Sequence, residues 1–363
     1  ARGSGRAGIA AGERGRTGSR HRPALSDRMR SLLSRSPIDG FILAILTAVV
    51  VAAFLPARGQ FADVLDWVVV VAIGFLFFLY GARLHPRQAL EGLTHWRLHL
   101  IILAFTFVVF PLIGLALQPL LRPVIGDDLT SGLLYLCLVP STVQSSIAFT
   151  SMARGNVAGA IVSASASNLL GVVLTPVLVV VLMSSTNGVH ITSSQVLEIL
   201  LEILVPFILG QLCRPLVTPI LKRFAEPTKY VDRGSIVLVV YAAFSEGVRN
   251  GIWSIVGVWQ VVAMAVVAIV LVAFMLWLTG WLPRRLGFHR EDAIAIQFCG
   301  TKKSLATGLP MATVLFSGSV VGLIVLPLMI FHQIQLIMCS WLATRYGREA
   351  AALDAAESGS EPG

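Results

Sequence analysis

Apolar stretches long enough to cross a lipid bilayer follow one another along nearly the whole chain. A hydrocarbon core about 30 Å thick takes roughly 20 helical residues. Ten stretches meet that length, at approximately 37–56, 61–82, 98–120, 129–153, 157–183, 194–213, 230–248, 254–282, 291–316 and 319–345. Spans four and five are nearly continuous. Arg154-Gly155-Asn156 is the expected turn between them, with Gly155 able to take a positive φ. Of 363 residues 56% are hydrophobic and 13% charged, whereas soluble domains run near half and a quarter. Too few polar residues remain to cover a soluble surface. That excludes a cytosolic enzyme, a disordered chain and a disulfide-stapled secreted module. The expected class is an all-α polytopic membrane protein.

The net charge of +9 does not point to nucleic acid, because of where the charge lies. With the N-terminus inside, 23 of the 28 basic residues fall in cytoplasmic segments. Only Arg58, Arg122 and Arg249 fall outside, and Lys302 and Lys303 fall within span nine. This is the positive-inside pattern, and losing one span would scramble it downstream. Both termini are therefore expected in the cytoplasm, in a bacterial inner membrane. Residues 1–36 are rich in Arg, Gly and Ser. They read as a disordered basic arm that helps fix topology, with anionic lipid as a secondary partner. Residues 346–363 read as a cytoplasmic tail. Cys137, Cys213, Cys299 and Cys339 show neither CxxC nor Cys/His ligand spacing.

The spans divide into halves at 37–183 and 194–345, joined by the polar, turn-like segment from Met183 to His190. Five is odd, so a repeated five-span unit inserts in opposite orientations, as in many secondary transporters. A sequence echo supports the repeat: Ser146-Ile-Ala with Met152-Ala153 in span four, Ser304-Leu-Ala with Met311-Ala312 in span nine.

Spans four and nine also carry the chemistry. Pro140 interrupts span four and is followed by Ser141, Thr142, Gln144, Ser145 and Ser146. Span nine runs Gln297-Phe-Cys-Gly-Thr301-Lys302-Lys303-Ser304, with Pro310 beyond. Irregular backbone at membrane depth survives only where protein or a water-filled cavity surrounds it. Paired interruptions in inverted halves point to a midplane transport site. Half-helix N-termini suit an anion there, and freed carbonyls and hydroxyls suit a cation. Two adjacent ammonium groups cost about 2.5 kcal/mol each even on the lenient insertion scale. Pointing about 100° apart, they cannot both snorkel one way. Span five adds Ser163, Ser167 and Asn168, with Ser163 and Ser167 on one helical face that could turn toward span four. Glu246 and Arg249 read as outside-loop charges, and His332 as a hydrogen-bonded interior histidine.

These motifs resemble the bile acid:sodium symporter family. The similarity runs through Val139-Pro-Ser-Thr-Val-Gln-Ser-Ser146, the turn Ala153-Arg-Gly-Asn156 and Leu174-Thr-Pro176. Phe298-Cys-Gly-Thr-Lys-Lys-Ser-Leu305 is similar to a branch that holds the vertebrate orphan seventh member and bacterial relatives. The resemblance covers about residues 37–345. It implies two inverted five-helix repeats with broken, crossing helices four and nine. It also implies a core domain that moves against a panel of helices one, two, six and seven. Family members typically import organic anions with sodium.

Carried over by position, the resemblance makes Ser145, Ser146, Gln297 and Thr301 the candidate sodium ligands. The family's acidic residue falls on Gln297, an expected Asn on Ile147, and two hydroxyl positions on Ala160 and Ala164. A lysine ammonium beside a sodium ion would oppose it by several kcal/mol in a partly buried site. The expectation is thus a secondary active transporter of a small organic anion, in which a lysine replaces sodium or pairs with the cargo. No cofactor is expected; Na+ and H+ are the candidate coupling ions, H+ through lysine deprotonation, and coupling absent altogether stays open. Two other functions stay open. One is a membrane regulator that has lost transport. The other is an arsenite-type permease, for which Cys137 and Cys299 are the candidate thiols. No Asp pair, His/Glu metal cluster or G-x-S-x-G supports an enzyme.

Overall fold

A computed structural model describes residues 40–83, 95–183, 193–249, 251, 256–316 and 320–358. All lie in one compact unit, Gly40–Gly363. The basic arm, the segment 184–192 between the halves and the last five residues lie outside the described residues.

The described residues are helical, with no strand among them. The helices are α1 (Gly40–Phe54), α2 (Gln60–Arg83), α3 (Trp96–Ile125), α4 (Asp127–Leu138), α5 (Gln144–Met152) and α6 (Val157–Met183). They continue as α7 (Ser193–Leu212), α8 (Arg214–Arg223), α9 (Ala225–Arg249), α10 (Val258–Arg285), α11 (Arg290–Gly300), α12 (Leu305–Leu315) and α13 (Val320–Ser358).

Five of these, α2, α3, α6, α10 and α13 as far as Leu353, are long and apolar enough to cross a membrane. A sixth is added if Ile203–Leu212 and Arg214–Arg223, bent by 83°, form one span. Of the other expected spans, that at 230–248 lies in α9, an unbroken helix of 25 residues that falls outside this set. α1 is a shorter apolar helix, and the spans expected at 129–153 and 291–316 are each split into two short helices. These features mark an integral, multi-pass membrane protein.

Several local expectations change. Positive φ falls on Arg154, at 54°, rather than on Gly155. Gly155 is needed for close packing instead, since a Cβ there would lie 2.5 Å from Ile294 Cγ2. Glu246 and Arg249 sit in the last turns of α9 rather than in a loop. Arg249 Nη1 donates to the Ala57 carbonyl at 3.0 Å. α13 runs on through Ser358, so the residues from 346 begin as helix, with an Arg345–Glu349 pair at 2.8 Å.

Packing follows a regular scheme. α7 lies on α2, and α9 lies on α1. α3 contacts α4 and α6, and α10 contacts α11 and α13. α5 packs on α6, α12 on α13, α4 on α13 and α11 on α6. Glycine sets the α2–α7 crossing: a Cβ at Gly81 would strike the Phe207 carbonyl, and one at Gly210 the Phe78 carbonyl. An Arg83–Asp232 ion pair ties α2 to α9.

Candidate functional site

Pro140 has no N–H to continue α4, and the chain leaves the helix at Val139 (φ −74°, ψ 155°), returning to helical angles at Val143 (φ −82°, ψ −61°) just before α5 begins at Gln144. The second interruption runs from Thr301 to Ser304, whose hydroxyl caps α12 by accepting the Thr307 N–H at 3.2 Å. The two interruptions touch. Ser304 N donates to the Pro140 carbonyl at 2.8 Å.

Each break satisfies the helix end of the other. Backbone groups buried away from water need partners, and here side chains supply them. Ser141 Oγ donates to the Cys299 carbonyl at 2.6 Å, and Ser146 Oγ to the Phe298 carbonyl at 3.2 Å. These are the last turn of α11. In return Lys303 Nζ donates to the Cys137 and Val139 carbonyls, at 2.8 and 2.9 Å, at the end of α4. Its third acceptor is the Thr106 carbonyl, at 2.9 Å.

That third carbonyl is free for a local reason. Within α3 residues Phe105–Val109 form a π turn, in which Phe110 N–H reaches back to the Phe105 carbonyl. The next donor in that register is residue 111, which is proline and has no N–H. Thr106 O is left without a helical partner and Lys303 takes it. The ammonium also stands 4.3 Å from the centre of the Phe110 ring.

Lys302, one residue away, is placed differently. Both side chains are fully buried. Lys302 Nζ lies 3.7 Å from the centre of the Phe149 ring and makes no hydrogen bond among the described residues. Cys299, Cys339 and His332 are its electrostatic neighbours. Ser145 Oγ, one helical turn before Phe149, is likewise buried without a partner.

α6 contributes a polar seam. Ser167 Oγ accepts the Ser141 N–H at 3.1 Å. Asn168 Nδ2 donates to the Ser141 carbonyl at 2.6 Å, and Asn168 Oδ1 accepts from Thr307 Oγ1 at 2.8 Å. Thr175 Oγ1 donates to the Leu138 carbonyl at 2.9 Å. Ser167 thus turns toward span four as its face implies. Ser163 instead meets His99 Nδ1 of α3 at 2.6 Å.

The crossing therefore joins Ser141, Ser146, Ser167, Asn168, Lys303 and Ser304 by hydrogen bonds. It does not engage the remaining candidates in the same way. Thr142 is half-buried in the break and Gln144 is exposed. Gln297 Nε2 turns to α10 and donates to the Leu276 carbonyl at 2.8 Å. Thr301 pairs with Thr279 of α10 at 2.8 Å. Of the four candidate sodium ligands, these two bond to α10, Ser146 bonds to α11, and Ser145 has no hydrogen-bond partner among the described residues.

The sequence reading missed Thr106, Gln335 and Thr279. Pro111 in span three was the available signal for Thr106. Gln335 Oε1 accepts the Lys303 N–H and Gln335 Nε2 donates to the Lys303 carbonyl, both at 2.9 Å. The same Nε2 lies 2.8 Å from His332 Nδ1, consistent with an interior, hydrogen-bonded His332. Among the described residues no group of three His, Cys, Asp or Glu side chains converges on a common point.

Residues 39–348 match the model of the SBF-like CPA transporter family. "Uncharacterized protein PA2026" of Pseudomonas aeruginosa is 52% identical over 324 residues, covering 88% of this chain and 97% of that protein. "Putative symporter YfeH" of Escherichia coli is 48% identical over 324 residues, with 89% and 97% covered. "Sodium/bile acid cotransporter 7" of Mus musculus is 31% identical over 317 residues, with 86% and 93% covered. With a broken-helix crossing at its centre and relatives that match along nearly their whole length, the chain belongs to the bile acid:sodium symporter family, in its SBF-like CPA transporter group.

Proposed function

We propose that this protein is a secondary active transporter of a small organic anion, working by alternating access, in which Lys303 is a tethered replacement for a coupling cation. One observation carries the reading: the Lys303 ammonium is held by three backbone carbonyls, of Thr106, Cys137 and Val139, where the two broken helices cross. Carbonyls in such an arrangement are what a transporter offers to sodium. An ammonium of similar charge fills the place permanently. The second lysine, Lys302, has no acceptor within the described residues and is the group that receives the anionic cargo. A buried ammonium needs such a partner.

The ten-span, inverted-repeat architecture belongs to the same proposal, with a core moving against a panel. Let α4 with α5 count as span four, and α11 with α12 as span nine. Exchanging each span with the one five places along then maps the main helix pairings onto one another. The α2–α7 contact becomes the α9–α1 contact. The α3–α4 contact becomes α10–α11, and α4–α13 becomes α11–α6. That pattern supports two similar halves related by a two-fold axis. Both termini are assigned to the cytoplasm on the placement of arginine and lysine. The name of the Escherichia coli relative, a putative symporter, agrees with transport.

The test uses the purified chain in proteoliposomes, with uptake of an organic-anion panel measured with and without a sodium gradient. Uptake that needs no sodium and is lost in Lys302→Gln supports the proposal. Uptake that requires sodium and survives Lys302→Gln and Lys303→Gln together overturns it. A second measurement needs no known substrate. Lys303→Ala vacates the three carbonyls, so sodium should raise the unfolding midpoint of this variant and leave the wild type unmoved.

A further inference from the structure

Two adjoining hollows lie between α10 and α13. One, of about 570 Å³, is walled by Leu276, Trp277, Ile337, Met338, Trp341 and Leu342. The other, of about 590 Å³, is bordered by Trp281, Arg284, Arg285 and Tyr346. Leu276, Trp277 and Gln297 border both, so the two form one groove. It is hydrocarbon at one end and cationic at the other.

The walls say what kind of molecule fits. Trp277, Trp281 and Trp341 are 57%, 43% and 65% exposed. In a membrane transporter such surfaces face lipid and its headgroup boundary rather than bulk water. Trp277 and Trp281 stack with ring centres 5.7 Å apart and planes within 13°. That makes a flat, rigid wall for an alkyl chain.

The cationic end is held in place. The Arg285 guanidinium stands 5.7 Å over the Trp281 ring. Arg284 Nη2 donates to the Tyr346 hydroxyl and Arg290 Nη2 to the Tyr346 carbonyl, each at 3.3 Å. Among the described residues none of these three arginines has a carboxylate within ion-pair distance. Guanidinium forks match phosphate oxygens in geometry and charge. A soluble anion would use the arginines and leave the hydrocarbon wall bare. A zwitterionic lipid would fill the wall but bring its own cation against the arginines.

We propose that the α10–α13 groove is a specific site for an anionic phospholipid of the surrounding membrane. One acyl chain lies along the stacked tryptophans, and the headgroup phosphate sits on Arg284 and Arg285. The groove borders span nine at Gln297 but includes neither Lys302 nor Lys303, and the proposal does not depend on what the crossing carries.

The test titrates phosphatidylglycerol or phosphatidylcholine, each with brominated acyl chains, into the purified full chain in detergent, and follows quenching of tryptophan fluorescence. Phosphatidylglycerol should reach half-quenching at a lower mole fraction, by about fivefold for each arginine engaged. Trp277→Phe with Trp281→Phe should remove most of that difference. Arg284→Gln with Arg285→Gln should make the two lipids equivalent, with the unfolding midpoint in phosphatidylcholine unchanged. Equal quenching of the wild type by both lipids overturns the proposal, and this result needs no variant to fold. So does a preference for phosphatidylglycerol that the arginine substitutions leave intact. A chain that crosslinks to a second copy through Trp341 and shows no lipid preference overturns it in favour of a subunit interface.

Discussion

Substituting Lys303 by Met strips the donor from three buried carbonyls, whereas substituting Lys302 by Met removes an ammonium that makes no hydrogen bond among the described residues. The two changes should move stability in opposite directions, although the residues are neighbours. Lys303→Met should cost roughly 3–5 kcal/mol, the range for leaving buried polar partners of a charge uncompensated. Lys302→Met loses a desolvated cation–π contact of about 2 kcal/mol. It also relieves an ammonium whose burial costs about 2.5–3.5 kcal/mol on the insertion scale. The net expectation is a small gain, below about 1.5 kcal/mol, accompanied by loss of transport. Thermal unfolding in detergent separates the two cases. A lower midpoint for Lys302→Met than for Lys303→Met would contradict the assignment of their surroundings.

Helix geometry makes further demands on individual elements. α2 and α7 approach so closely that backbone carbonyls occupy the places where Cβ atoms would stand at Gly81 and Gly210. A carbonyl inside a helix cannot swing aside as a flexible side chain can. Gly81→Ala and Gly210→Ala should therefore each destabilise by about 1–3 kcal/mol. Gly74 of the same α2 has open space around its Cβ position, so Gly74→Ala should be neutral or slightly stabilising. In α3 the missing N–H of Pro111 keeps Thr106 O available to Lys303. Pro111→Ala returns a competing donor. Uptake should fall in this variant while the unfolding midpoint changes little, and a variant that transports normally would show that the third carbonyl is dispensable.

At the scale of the whole molecule, orientation and fold are linked through charge. Ala351 near the end of α13 and Asp128 at the start of α4 are both exposed. The inverted arrangement assigns them to opposite sides of the membrane. In a Cys213→Ala background, Ala351→Cys should react with an impermeant maleimide only in inside-out vesicles. Asp128→Cys should react only in right-side-out ones. Labelling of both from one side would remove the inverted repeat. It would also undo the cytoplasmic placement of the termini.

Much of the architecture was legible because it follows from solvent. A hydrocarbon slab demands long apolar helices, and that demand is written locally along the chain. The run Val157–Met183 is a single helix at its expected bounds for that reason. The interruptions at Pro140 and at Lys302-Lys303 were legible too, since proline and paired charge announce themselves in an apolar stretch. What the sequence could not say is which lysine is satisfied. The three carbonyls that hold Lys303 come from residues 164 to 197 positions away. A backbone carbonyl, moreover, leaves no mark in residue identity. Nor could it say that Gln297 and Thr301 turn to α10, because their partners are again a distant carbonyl and a distant hydroxyl. Local hydrophobicity and charge determined where the long apolar helices run and where the chain breaks. Only the meeting of distant backbone ends decided which buried cation is already held and which is still open to a partner.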